Sequence, residues 1–264
     1  MSEMDKPPRR LSRRAWLLGG GAVAGAGVVA YALRDAIASY IFTRYDNSAF
    51  RPSGIAVEDS AMCTLTASAI EGPFYVENTP LRSDVREDRV GVPVQLNLRI
   101  VDGATCQAIS GAKVVIWQAD ALGNYSGHDD MDPSAFPFAA PYWEQRAVAT
   151  PTRYLRGYQV TGADGIVAFR TIYPGWYTPR TPHIHVKAIV ADRDVVSVQL
   201  FFPQSVTDEI AKVTPYNSRG PSPYTNDNDF VIAETKGASG TWPKISRSGE
   251  RIEASLTIGI KGLS

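Results

Sequence analysis

Two of the three histidines in this 264-residue chain, His183 and His185, stand one residue apart inside FRTIYPGWYTPRTPHIHVK, residues 169–187. Side chains alternate across a strand with period two, so a strand over 183–190 would aim both imidazoles the same way. Tyr177 lies six residues upstream. Two imidazoles and a phenol form a compact set of nitrogen and oxygen donors. Imidazole suits several transition metals, whereas phenolate is a hard anionic donor that suits ferric iron. Ligands bind deprotonated, so a metal here would hold the phenol as phenolate near neutral pH. On the HxH pair alone, two histidines sharing a strand face by chance is the competing explanation.

The surrounding pattern is that of short strands. Val94, Leu96, Leu98 and Ile100 alternate with Gln95, Asn97 and Arg99, which predicts a half-buried strand over 94–101. Residues 113–119 make a second, ending near Trp117. Residues 157–161 and 166–171 flank Gly162-Ala163-Asp164-Gly165 and predict a hairpin. Residues 183–190 and 195–202 flank 191–194 as another, and 252–260 alternates as a last strand. One or two helical turns are expected over 204–213, and a short helix or ordered arm over 63–70. Residues 120–142 form a long irregular segment, the kind of loop that is often functional. The fold class expected is all-β: an antiparallel β-sandwich with long loops and little helix.

Formal charge balances at 27 basic and 27 acidic residues, with no clustered basic patch of the sort a nucleic-acid partner requires. Cys63 and Cys106 form no CxxC pair, which excludes a zinc ribbon or a dithiol redox motif. Whether they join as a disulfide or stay as two buried thiols depends on the compartment. The first 14 residues are polar and basic, and 15–33 are uncharged and rich in Gly and Ala. Ser12-Arg13-Arg14-Ala15-Trp16-Leu17 resembles the twin-arginine (Tat) export signal. The domains expected are a signal or membrane-anchor helix over 1–33, a linker over 34–59 and a catalytic domain over 60–264. The product would be periplasmic or extracellular, with cleavage after Ala30-Tyr31-Ala32 and retention as an anchor both open.

The stretch Phe169-Arg170-Thr171-Ile172, Pro174-Gly175, Tyr177, Arg180 and His183-Ile184-His185 resembles the core of the intradiol ring-cleavage dioxygenases. Further matches are Glu71-Gly72-Pro73-Phe74-Tyr75, residues 115–120 with Gly123-Asn124-Tyr125, and residues 198–202. The resemblance covers roughly 69–202 in order, and the protocatechuate and catechol dioxygenases are its known members. It implies a non-haem Fe(III) held by Tyr125, Tyr177, His183 and His185. It also implies oxidative cleavage of a catechol by O2, between the two hydroxylated carbons, to a cis,cis-muconate-type product.

Within that reaction Tyr177 is the ligand that leaves when substrate binds, Arg180 stabilises negative charge on the ring, and Gln199 lies near the substrate. Each has a plainer counterpart. Tyr125 could be ordinary packing, Arg180 a surface arginine in a Pro-rich loop, and Gln199 an outward-facing polar residue. His128 is either a substrate contact or an exposed loop histidine. Trp176 either walls the site or packs outside it, Trp117 belongs to the core, and Pro174 and Gly175 set a turn. The short Tyr177–His183 connection predicts a site open on one side. No basic residue is placed to pair with a substrate carboxylate, which favours catechol-type substrates over protocatechuate. The rivals are an exported non-catalytic binding module that keeps the metal-site residues, and a zinc or hydrolase site.

Overall fold

The protein is described by a computed structural model covering residues 65–135 and 144–261, all within one compact unit spanning 46–264. The expected signal or anchor (1–33), the linker (34–59) and Cys63 lie outside the described residues. In chain order the elements are β1 (Pro93–Asp102), β2 (Lys113–Gln118), β3 (Arg156–Val160), β4 (Ile166–Ile172), β5 (His183–Val190) and β6 (Arg193–Phe201). Then come α1 (Gln204–Ile210), a 3-10 turn (Tyr216–Ser218), α2 (Phe230–Glu234), β7 (Lys244–Ser248) and β8 (Arg251–Ile260).

Two four-stranded sheets, ordered β4-β1-β8-β7 and β3-β2-β5-β6, pack face to face. All pairings are antiparallel except β1 with β8. Between the sheets lies the main core. Val94, Leu96, Leu98 and Ile100 of β1 meet Val114 and Ile116 of β2 and Ile184, Val186 and Ala188 of β5. Each fully buried Val, Leu or Ile side chain here contributes ~1.5–3 kcal/mol of hydrophobic stabilisation.

The expected β1 strand is present, but it is not half-buried. Gln95 and Asn97, on its other face, are only 5% and 3% exposed, and Gln95 Nε2 donates to Asn97 Oδ1. The hairpin expected from 157–171 is also corrected. Both strands form, yet β3 pairs with β2 and β4 pairs with β1, in different sheets. The turn docks on β1: Ile100 N donates to Gly165 O, and a Cβ on Gly165 would come 2.6 Å from Ile100 O. That contact carries the chain across the sandwich. The β5–β6 hairpin is real and tighter than expected, turning at Ala191 and Asp192 alone, both with positive φ.

The segment over 65–70 is an arm rather than a helix. Thr66 N donates to Gly259 O of β8, and Ala69 N to Ser197 O of β6, so the arm bridges the two sheets. α-Helix is limited to α1 and α2 among the described residues, with α1 inside the expected 204–213. Cys106 is disulfide-bonded.

A candidate metal centre on the outer face of the second sheet

Alternation along β5 divides its residues between two environments. Ile184, Val186 and Ala188 face the core between the sheets, whereas His183, His185 and Lys187 face outward. Strand register sets Trp117 of β2 opposite His185, and His185 opposite Gln199 of β6. A row of Trp117, His185 and Gln199 therefore runs across three strands on the outer face. Trp117 stacks on the His185 ring, centroids 4.6 Å apart and planes 8° apart. The expectation of Trp117 as core holds, with the addition that it clamps an imidazole.

Loops roof this face. The 120–135 loop begins on Asp120, whose carboxylate accepts from Leu122 N and Asn124 N, each at 2.9 Å. The 173–182 loop locks onto it where Gly175 N donates to Asp120 O at 2.9 Å. A Cβ on Gly175 would lie 2.5 Å from Ala121 O and 2.7 Å from Asp120 O, so only glycine allows that approach. The contact brings Tyr125 and Tyr177 together, ring centroids 5.4 Å apart and nearly perpendicular. Phe74, from the 71–75 segment, stacks on Tyr125 at 4.5 Å and meets the Tyr177 ring edge-on.

The four candidate ligands are 4% exposed or less: Tyr125 0%, Tyr177 4%, His183 2%, His185 2%. The opening expected on one side of the site is therefore not found among the described residues. His183 Nε2 lies 3.1 Å from His185 Nε2, and Tyr177 Oη lies 3.4 Å from His183 Nε2. His183 Nδ1 donates to Thr181 O at 2.7 Å, which leaves its Nε2 lone pair directed at the cluster. Tyr125 Oη and His185 Nδ1 are buried without hydrogen-bond partners.

Two nitrogens held ~2.1 Å from one ion at roughly a right angle lie about 3 Å apart, which is the spacing seen. Burial, then the charge of Arg180, pushes the His183 imidazole down to about 3. Burial likewise sets His185 well below its ordinary value, with His183 and Arg180 adding to the shift. Both imidazoles are thus neutral, as a ligand requires. Burial raises both phenols, Tyr125 well above the ordinary value. Only a strong positive charge would draw off their protons. Among the described residues no group of three His, Cys, Asp or Glu side chains can hold a metal. The further donors next to the imidazoles are phenols, which fit ferric iron better than zinc.

Arg180 is buried rather than a surface residue. Its Nε donates to Asp229 Oδ2 at 2.9 Å, and its Nη2 to Asp229 Oδ1 at 3.2 Å and Gln199 Oε1 at 2.6 Å. Gln199 stands on the outer face of the sheet but does not meet solvent: it is fully buried under the arm, and its Nε2 donates to Ile70 O at 2.9 Å. His128 is not an exposed loop histidine. It is buried, has no hydrogen-bond partner on either ring nitrogen, and tilts against Phe74 at 5.4 Å. Trp176 packs outside the cluster, under the Arg219 guanidinium at 3.7 Å and beside Tyr224.

Sequence reasoning missed two residues. Arg156 of β3 is buried behind Tyr125, 5.9 Å from its ring centroid, and donates to Phe74 O and Ser126 O, each at 2.7 Å. Burial lowers it to about 9. It ties together the segments that carry Phe74 and Tyr125. A single Arg at a strand start carries no sequence mark of such a role. Asp229 could have been found, because an Asp just before the apolar run Phe230-Val231-Ile232 is an N-cap pattern.

Comparison with known proteins agrees with this geometry. Residues 70–219 match the family model described as "Dioxygenase". A chlorocatechol 1,2-dioxygenase from Cupriavidus pinatubonensis is 24% identical over 177 residues, 58% of this chain and 61% of that protein. The chain thus spans about six tenths of the length of that curated relative. The dioxygenase domain of a carbohydrate-binding fusion protein from Streptomyces sp. SirexAA-E is 25% identical, with TM-score 0.53 over 75% of this chain and 98% of that one. The intradiol ring-cleavage dioxygenase from Tetranychus urticae is 34% identical, with TM-score 0.69 over 76% of this chain and 96% of that one. By the family match, and by this identity over most of both chains, the chain belongs to the intradiol ring-cleavage dioxygenases.

Proposed function

We propose that this protein is a non-haem Fe(III) dioxygenase that cleaves a catechol ring between its two hydroxylated carbons. Both atoms of O2 enter the cis,cis-muconate-type product. The observation that carries it is the convergence of Tyr125, Tyr177, His183 and His185 in one buried patch, with His183 Nε2 and His185 Nε2 3.1 Å apart. The names of the relatives, catechol-type dioxygenases acting in an intradiol sense, point the same way.

Fe(III), held by Tyr125, Tyr177, His183 and His185, would supply a Lewis acid that draws electron density from a bound catecholate. The chain's own residues do the rest. Tyr177 would be the ligand that substrate displaces, and its phenolate oxygen would take a proton from a catechol hydroxyl. Arg180, fixed in charge and buried beside Tyr177, stabilises the negative charge that develops on the ring. Gln199 keeps the guanidinium turned to the site through the 2.6 Å bond from Arg180 Nη2. Trp117 and Phe74 exclude water from the imidazole and phenol rings. Catechol-type substrates fit better than protocatechuate, since the two cations nearest the ligands are already engaged: Arg180 with Asp229 and Gln199, Arg156 with backbone carbonyls.

The experiment is oxygen uptake by iron-loaded protein with catechol. Consumption of one O2 per catechol, with a product heavier by two oxygen atoms, supports ring cleavage. A quinone product or no uptake would refute it.

Delivery by the Tat route belongs to the same proposal. The twin arginines Arg13 and Arg14 support it, and the Cys106 disulfide fits an oxidising compartment. Replacing both by lysine is expected to leave the protein in the cytoplasm. Unchanged export in that variant would refute the route.

A further inference from the structure

The residue that holds Arg180 comes from outside the segment matched to the family, which ends at residue 219. Asp229 is the N-cap of α2, and its carboxylate is 0% exposed. One oxygen, Oδ2, accepts from Arg180 Nε at 2.9 Å and from Thr181 N at 3.1 Å. The other, Oδ1, accepts from Arg180 Nη2 at 3.2 Å, from Val231 N at 3.0 Å and from Ile232 N at 3.3 Å. Thr181, in turn, presents the carbonyl that receives His183 Nδ1 at 2.7 Å. One carboxylate thus fixes the guanidinium next to Tyr177 and the peptide that sets the tautomer of a candidate ligand.

The arrangement exceeds what a helix cap needs. Capping uses the two bonds to Val231 and Ile232, which any Asn or Asp supplies. The bidentate ion pair to Arg180 is a separate, charge-assisted feature with its own geometry. Phe230, the next residue, lies under the guanidinium, its ring centroid 5.1 Å from Arg180 Cζ. Burial raises the Asp229 carboxyl, but the Arg180 charge and its hydrogen bonds more than offset that and leave it below the ordinary range. The group is ionised, as an ion pair requires.

We infer that Asp229 is a positioning residue for the ring-cleavage step: it aims Arg180 at the reacting centre and holds the Thr181 peptide that orients His183. The inference rests on the proposed dioxygenase reading. It acts on the rate more than on binding, because Arg180 meets charge that grows only as the ring reacts.

The test is a double-mutant cycle on the iron-loaded full chain, with Asp229→Asn, Arg180→Gln and both together. Asparagine keeps the two cap bonds but leaves the buried Arg180 charge unpaired, so the melting temperature is expected to fall while iron content per folded molecule stays near wild type. The kcat for catechol is expected to fall more than tenfold with KM changed less than threefold. In the Arg180→Gln background the same change is expected to cost less than twofold, because the target of the positioning is gone. An equal loss in both backgrounds, or a lowered melting temperature with unchanged kcat, would overturn the inference and leave Asp229 as a helix cap. Should the wild type turn over no catechol, the dioxygenase reading fails. The positioning is then read from the His183 ring nitrogens of the metal-free chain by NMR, where loss of the Nδ1-protonated tautomer in Asp229→Asn sustains it and an unchanged tautomer removes it.

Discussion

The two faces of β5 are buried to the same degree and do opposite work. On the inner face Ile184, Val186 and Ala188 meet side chains of the facing sheet, and nothing polar is required of them. On the outer face His183, His185 and Lys187 are also buried, at 2%, 2% and 5% exposure, but every polar atom there needs a partner or a ligand. A strand supplies both faces from one run of eight residues. The inner face needs only shape and volume, and tolerates exchange of one hydrocarbon for another of similar size. The outer face needs particular atoms at particular places, and loops from three parts of the chain to keep water out.

The largest effect expected from breaking this contrast is at the imidazoles. His183→Ala or His185→Ala should abolish iron retention and lower ring-cleavage activity by more than roughly 100-fold, beyond what loss of an outer partner of a ligand costs. Melting of the metal-free protein should change little. Elemental analysis and calorimetry read the two properties separately. One residue along, Ile184→Ala should do the reverse. It is expected to destabilise by roughly 2–5 kcal/mol in urea unfolding, with iron per folded molecule unchanged.

A subtler change removes one atom. Tyr177→Phe keeps the ring packing against Phe74 and Tyr125 and deletes the proton acceptor. Activity should drop by roughly 10²-fold, the scale of a lost general base, while the imidazoles still hold iron. Retained activity would show that Tyr177 only fills space.

The smallest effect concerns His128, buried in the roof. Burial, then Arg156 and Arg146, lowers its imidazole from 6.5 to about 4. The unfolded chain takes up this proton at a higher pH than the folded one. The contribution to stability is therefore complete above pH 6.5 and is lost as pH falls through about 4. His128→Phe should flatten that part of the stability–pH curve of the metal-free protein. An unchanged slope would place the histidine in water.

How much of this was legible in the sequence follows from range. Period-two alternation is local, so β1, β2, β5 and β8 could be read directly, and the HxH pair with them. Tyr177 stood out by its spacing to that pair, whereas Tyr125, Arg180 and Gln199 came from motif order and not from geometry, and the fold brings them together. What failed depends on partners distant in sequence. Residues 157–171 look like a hairpin because a Gly-rich turn does not reveal that Gly165 will dock on Ile100 of another strand. Gln95 and Asn97 look solvent-facing because the cover over them is not local. β7, with its largely exposed KISRS run, has little apolar alternation to mark it. Arg156 and Asp229 act through hydrogen bonds to segments 30 and 49 residues away; the N-cap pattern marks Asp229 as a helix start, but nothing local names Arg180 as its partner.

The central claim is that the outer face of the second sheet assembles a ferric site from two phenols and two imidazoles. It is tested most directly by the visible spectrum of purified, iron-loaded protein, with and without catechol in the absence of oxygen. The expected result is a broad phenolate-to-iron charge-transfer band that moves to longer wavelength when catechol is added. A protein that stays colourless after iron loading, or whose colour ignores catechol, would contradict it.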